Sequence, residues 1–181
     1  MLYLASKSRR RKEILQGLGI PFRIVSSRYQ ERRIPGMAAT KLALIHAKGK
    51  AVKAVVSKKA RWILGADTLV ALRGKILGKP QTKREALGMF RLLSGRPHWV
   101  VTALALLDRK TGKIKTGVAR TKVIFKKLSG ERIRNYLEAV DPFDKAGGYA
   151  IQEGPRIVKK IQGSYTNVVG LPVELLKEML G

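Results

Sequence analysis

Only 12 of the 181 residues carry a carboxylate, so each can be weighed individually as an acid, a base or a metal ligand. Glu13, Glu85, Glu131, Glu138, Glu174 and Glu178 fall on predicted helices, where exposed or capping roles account for them. Asp108 precedes a predicted turn. That leaves Glu31, Asp67, Asp141, Asp144 and Glu153, in loops or at strand ends. Asp67 stands apart, because Gly65-Ala66-Asp67-Thr68 follows the apolar run Trp62-Ile63-Leu64. Open α/β sheets bind ligands at the carboxyl ends of their strands. A carboxylate there is either structural, held by backbone donors, or serves as a Mg²⁺ ligand or general base.

Three segments suit an anion. Ser6-Lys7-Ser8-Arg9-Arg10-Arg11 joins a predicted strand to a helix start, where N–H groups, hydroxyls and guanidinium groups converge. Gly78-Lys79-Pro80 follows a predicted hairpin, and Asp144-Lys145-Ala146-Gly147-Gly148-Tyr149 is a glycine-rich turn. None is a P-loop. The absence of cysteine excludes disulfides, thiolate metal sites and thiol catalysis. His46 and His98 are the only histidines and no Gly-x-Ser-x-Gly elbow exists, which argues against a serine hydrolase and against zinc. Trp62, Trp99, Tyr149 and Tyr165 read as strand positions suited to core packing, with stacking on a base as the alternative.

The elements that must position these residues alternate in a βα manner. Leu2–Leu4 reads as a strand. A helix follows from about Arg9, with Ile14, Leu15 and Leu18 on one face, and stops at Gly19 and Pro21. Phe22–Val25 is the second strand and Ser26–Pro35 a charged loop. A long helix is expected from about Met37 to Val56, burying Leu42, Ile45, Val52 and Val56. Trp62–Leu64 reads as a strand ending at Gly65, then Leu69–Leu72 and Lys75–Leu77 as a hairpin. Thr82 and Ser129 cap two further helices, around β-rich stretches at His98–Leu107 and Lys115–Lys126. A strand around Arg156–Ile161 and a helix from about Pro172 complete an α/β protein, expected to be one two-lobed domain over 1–181.

Charge narrows the partners. Lys and Arg number 38, giving a net charge of +26, of which residues 1–61 hold +14. Thermophile ion-pair networks enrich both signs; here one sign dominates, which favours anionic company such as nucleotides or polynucleotides. A 45% apolar fraction argues against a disordered basic tail. No apolar run approaches the roughly 18 residues of a membrane span, and the first residues do not have the order of a secretory signal. A cytoplasmic, globular protein is expected.

In their order, these segments resemble the Maf family of nucleoside triphosphate pyrophosphatases. The opening Leu4-Ala5-Ser6-Lys7-Ser8-Arg9-Arg10-Arg11 is similar to the family's Leu-Ala-Ser-x-Ser-Pro-Arg-Arg. Gly65-Ala66-Asp67-Thr68, Gly78-Lys79-Pro80, Ser94-Gly95-Arg96-Pro97-His98, Asp144-Lys145-Ala146-Gly147-Gly148-Tyr149-Ala150-Ile151-Gln152 and the run from Gly163 to Pro172 match in turn. The resemblance implies a two-lobed Maf/ITPase-like fold, with a central twisted mixed sheet flanked by helices and a cleft between lobes, usually in a homodimer. It implies hydrolysis of a triphosphate to the monophosphate and pyrophosphate with a divalent cation, Mg²⁺ or Mn²⁺. The Gly-Ala-Asp-Thr segment is similar to the branch acting on dTTP, UTP and modified pyrimidine nucleotides. Asp67 matches the catalytic carboxylate and Glu31 the loop glutamate, while Ser8, Arg10, Arg11, Lys79 and Gln152 fall on substrate-binding positions.

Chemistry gives these residues work. Attack on the α-phosphorus needs a metal and a base, and cations for the departing pyrophosphate. Asp67 suits a base or metal ligand and Glu31 a metal ligand. Arg10, Arg11, Lys79 and Lys145 suit the triphosphate, and Thr68 and Gln152 a pyrimidine edge. The chain departs from the family pattern at several positions. Arg9 replaces a proline, and Arg28 and Gln30 stand where acids are frequent. His46 falls where a lysine is usual, so a fixed cation there is lost or made pH-dependent. Ala103 replaces a common glycine, and one residue is missing after Glu153. Two alternatives stay open: a non-enzymatic polyanion- or nucleic-acid-binding protein of this fold, with tight, steeply salt-dependent binding and no hydrolysis, and a purine-directed pyrophosphatase. Beside its substrate, the enzyme is expected to have at most a weak, nonspecific affinity for polyanions.

Overall fold

In the computed structural model, which describes all of residues 1–181, strands and helices interleave as expected. The order is β1 (Leu2–Ala5), α1 (Arg9–Gly17), β2 (Phe22–Ile24), α2 (Ala39–Val52), β3 (Trp62–Leu72), β4 (Lys75–Leu77) and α3 (Lys83–Leu93), then β5 (Pro97–Asp108), β6 (Ile114–Phe125), α4 (Gly130–Ala139), β7 (Val158–Gln162), α5 (Tyr165–Val169) and α6 (Val173–Leu180). The sheet runs β2-β1-β3-β5-β6-β7, with β4 paired to β3. β1 is parallel to β2 and β3, and every other pairing is antiparallel. This is a mixed, open α/β sheet flanked by six helices. No helix is long and apolar enough to cross a membrane.

Local chemistry sets the boundaries. The hydroxyls of Ser8, Thr82, Ser129 and Ser164 each accept a backbone N–H in the first turn of α1, α3, α4 and α5. Arg73 and Gly74 both take positive φ, 49° and 80°, the twist that a two-residue hairpin between β3 and β4 requires.

Three expectations are corrected. The expected break at Gly65–Thr68 is absent: β3 runs unbroken for 11 residues, with Asp67 at its middle. The segment still behaves like a strand end in one respect, since the pairing with β1 stops at Ala5–Gly65 and leaves Asp67 just past the tip of its parallel neighbour. The long helix is shorter than expected and buries a different face: Leu42, Ala43, His46, Ala47 and Ala51 point inward, while Val52 is 58% exposed. Gly65 explains this, because a Cβ there would collide with the carbonyl oxygen of Ala47 and lie 2.8 Å from the Ala51 nitrogen. The helix lies so close to the strand that only small side chains fit between them. Third, α5 was not expected; five residues are too few to show a helical period, and its C-cap is Gly170 at φ 118°.

The core follows the alternation of β3. Leu64 and Ala66 pack with α1 and α6, Val70 and Leu72 with α3 and α4, and Ile63 and Leu69 with α2 on the opposite face. Thr68, between the first two groups, is directly paired with Thr102. This polar row separates the two apolar lobes. Replacing Gly65 with alanine is expected to push α2 off β3 at a cost of about 1–3 kcal/mol, lowering the thermal midpoint by roughly 2–10 °C as followed by circular dichroism.

Candidate active site

Between the lobes lies a cleft of about 620 Å³. Ser8, Arg10, Arg11, Glu31, Asp67, Thr68, Lys79, Lys145 and Gln152, all singled out in the sequence, line it. The loop after β1, α1, the charged loop after β2, β3, the segment after β4 and the glycine-rich turn with the residues that follow it supply them.

Asp67 is buried at its floor, with both carboxylate oxygens engaged. Oδ1 accepts from Lys50 Nζ at 2.6 Å, and Oδ2 lies 3.1 Å from His46 Nδ1. The other ring nitrogen of His46, Nε2, is 3.1 Å from the Arg32 carbonyl oxygen. A neutral imidazole has one donor and one acceptor, and here both nitrogens face acceptors. His46 is therefore an imidazolium donating at both ends. Its pKa is raised, first by the hydrogen bond to Asp67, against the opposing effect of burial. Burial pushes the Asp67 carboxyl up, but His46, Lys50 and Arg11 outweigh it and hold the pKa below the usual range.

Lys50 was missed in the sequence. It sits one helical turn beyond His46, and its ammonium also meets Glu31 Oε1 at 2.7 Å and the Ala66 carbonyl at 3.2 Å. The i, i+4 spacing from His46 was the available signal. A lysine is thus present between the two carboxylates, and the departure at His46 does not remove it. Glu31 is delivered by its loop: the Tyr29 ring lies against Gly49 of α2, where a Cβ would collide with it.

Arg11 is buried, and three of its five N–H donors are engaged inside the protein. Nε donates to the Gly170 carbonyl at 2.7 Å, Nη1 to Ser6 Oγ at 2.9 Å and Nη2 to Thr68 Oγ1 at 2.9 Å. Thr102 donates its proton to the Asn167 carbonyl, so the Thr68 hydroxyl, 3.0 Å from Thr102, donates to Thr102. The one Thr68 proton is therefore already used.

Arg10 and Lys145, expected to meet phosphates, hold carboxylates here. Lys145 Nζ is 2.6 Å from Asp144 and 3.2 Å from Glu153, and Arg10 Nη1 is 3.2 and 3.5 Å from the same two residues. Lys79 and Gln152 are exposed on the cleft, and Lys79 enters no ion pair. His98 lies outside the site, buried against Phe125 and Tyr149, and burial pushes its pKa down to about 4.

The ligand atoms of Glu31, His46 and Asp67 lie within 4.8 Å of one another. The imidazolium offers no lone pair, so the two carboxylates form the donor set that fits a small, hard cation, in exchange for the Lys50 ammonium between them.

A family model described as Maf-like protein matches residues 1–181. The chain belongs to the Maf family. Among curated relatives, one from Geobacter sp. (strain M21) is 47% identical over 173 residues, covering 95% of this chain and 90% of its own. One from Carboxydothermus hydrogenoformans is 43% identical over 176 residues, covering 97% and 94%. One from Pelotomaculum thermopropionicum is 38% identical over 180 residues, covering 99% and 94%. All three carry the name dTTP/UTP pyrophosphatase.

In this Maf chain the Asp67–His46 pair has two pH limits. The raised His46 pKa gives stability that is fully present below the unfolded value near 6.5 and is lost as pH rises through the folded one. The lowered Asp67 pKa gives stability that is present above about 3.9 and is lost as pH falls through the folded value. In EDTA-treated protein, the His46 ring is expected to stay protonated above pH ~6.5 by NMR, and Asp67→Asn to lower its midpoint. A ring titrating at or below the free-histidine value in the parent protein would contradict the double-donor assignment.

Proposed function

We propose that this chain hydrolyses the α–β phosphoanhydride of dTTP and UTP, and of modified pyrimidine nucleotides, releasing the monophosphate and pyrophosphate. The observation that carries this reading is Asp67, held ionised at the floor of a cation-lined cleft in a Maf chain whose relatives are named for that activity. Glu31 and Asp67 would hold Mg²⁺ or Mn²⁺, which supplies Lewis-acid polarisation of phosphoryl oxygens and a more acidic bound water. A carboxyl held below its usual range is a weak proton acceptor, which favours the ligand role of Asp67 over the base role.

The protein's own groups do the rest. The His46 imidazolium keeps Asp67 ionised, and Lys50, released from the carboxylates by the metal, would bring positive charge to the reacting end. Lys79, with no carboxylate partner, would take a phosphate directly. Arg10 and Lys145 would take theirs by exchange, releasing Asp144 and Glu153. Arg11 contributes charge from within and holds the shape of the Ser6–Ser8 loop. At the base, the exposed Gln152 amide offers both a donor and an acceptor, matching a pyrimidine edge that has both. Thr68 adds at most its remaining lone pair, and the Ser8 hydroxyl, an acceptor from the Arg11 amide, can donate to a phosphate oxygen. The same reading makes 1–181 one catalytic domain, in a cytoplasmic homodimer as the family resemblance implies.

The test is a panel of all NTPs and dNTPs with Mg²⁺ or Mn²⁺, with pyrophosphate and phosphate resolved. Pyrophosphate release fastest from dTTP and UTP is expected; fastest release from a purine would move the chain to the purine-directed reading, and phosphate alone would overturn both. Asp67→Asn is expected to reduce kcat by about 10²-fold or more with an unchanged circular dichroism spectrum. Lys50→Gln should reduce kcat by about 10-fold or more, which would place the missed lysine in the reaction rather than in folding alone.

A further inference from the structure

The sheet is covered unequally. α1, α3, α4 and α6 pack on one face, where Asn167 of α5 also reaches Thr121, whereas α2 alone packs on the other. Past α2, that second face is open from the Trp99 end of β5 across the facing part of β6 to β7. Trp99 pairs with Lys122 and Lys122 with Gln162, Val101 pairs with Arg120, and Ile124 with Lys160. Successive side chains alternate, so Trp99, Arg120, Lys122, Lys160 and Gln162 share the face that carries α2. The expectation that Trp99 is a core residue fails: it is 39% exposed, with the Arg120 guanidinium 4.5 Å from its ring centroid. Arg120, Lys122 and Lys160 enter no ion pair, and β5–β7 contain no acid except Asp108, at the far end of β5.

We propose that this open face binds a single-stranded polynucleotide, a base stacking on Trp99 and the phosphates following Arg120, Lys122 and Lys160. An aromatic ring among unpaired cations on a flat sheet is the arrangement that recognises single strands, because every exposed base has a π-face and every link a charge. A duplex hides its base faces and would leave Trp99 unused. A second copy of this chain would bring the same three cations against themselves, on molecules each of net charge +26. A free nucleotide offers one base and one phosphate chain, and it already has the cleft. The site is separate from Asp67, four residues along β3 from Ala71, the cross-strand partner of Trp99.

Fluorescence anisotropy of the full chain with a labelled oligo(dT) strand, over a range of salt, tests this. Replacing Arg120, Lys122 and Lys160 together by glutamine should make the slope of log affinity against log salt shallower by about 2. Trp99→Ala should weaken binding by about 5- to 150-fold. Neither variant should change turnover of UTP, and saturating UTP should not displace the strand; these readouts stand whether or not the pyrophosphatase reading holds. Wild-type affinity and slope in the variants would overturn the proposal, as would displacement by UTP or duplex binding with the same Trp99 dependence. So would a wild-type dimer by sedimentation that the face variants dissociate, which would assign the face to a second copy.

Discussion

A carboxylate that is 4% exposed cannot stay ionised without compensation, and much of this cleft is arranged around supplying it to Asp67. His46 and Lys50 come from one face of α2, and Arg11 comes from α1. For two groups on α2 to reach a residue on β3, the helix must lie unusually close to the strand, and the bare backbone of Gly65 permits that approach. Arg11 in turn ties α1 to Thr68 on β3 and to Gly170 at the end of α5. Three helices are thus indexed to one stretch of strand. The helix–strand distance and the ionisation of Asp67 are consequences of one another.

Much of the fold was legible because local chemistry and global packing agree. Serine and threonine caps, the Arg73-Gly74 turn and the βα alternation each have short-range causes. The errors came where tertiary context decides. Gly65-Ala66-Asp67-Thr68 reads as a break because glycine and aspartate are poor strand formers, yet the long antiparallel ladder with β5 carries the strand through them. On α2 the larger apolar residues Ile45 and Val52 suggest one inward face, but the gap against β3 admits alanine and turns another inward. Periodicity reports hydrophobicity, not clearance.

The site was legible in membership but not in partnership. All nine residues singled out line one cleft, as their placement at loop and strand positions implies. What sequence did not reveal is which of their groups are already satisfied. Arg11 and Thr68 have the right chemistry for a ligand, but Arg11 commits three of its five N–H groups to Ser6, Thr68 and Gly170, and Thr68 its one proton to Thr102. All of these partners but Ser6 are distant along the chain. Lys50 shows the converse: it looked like one of many surface lysines, and only the fold places it between two carboxylates.

The charge of +26 is therefore organised rather than uniform. Apart from Arg9–Glu13 and Arg61–Asp108, every ion pair of the chain belongs to the cleft and its rim, where Glu31, Asp67, Asp144 and Glu153 hold His46, Lys50, Arg10 and Lys145. Scarce acids are concentrated where cations must be placed accurately, and the exterior is left with the surplus. A pre-paired cation is less attractive to a passing anion than a free one, but it is already oriented and partly desolvated. Binding at Arg10 or Lys145 is then an exchange of one anion for another, which costs little for a triphosphate that replaces two carboxylates together and more for a ligand with a single phosphate. The same pairing lets the cleft discriminate by charge, while the unpaired lysines and arginines outside attract any polyanion.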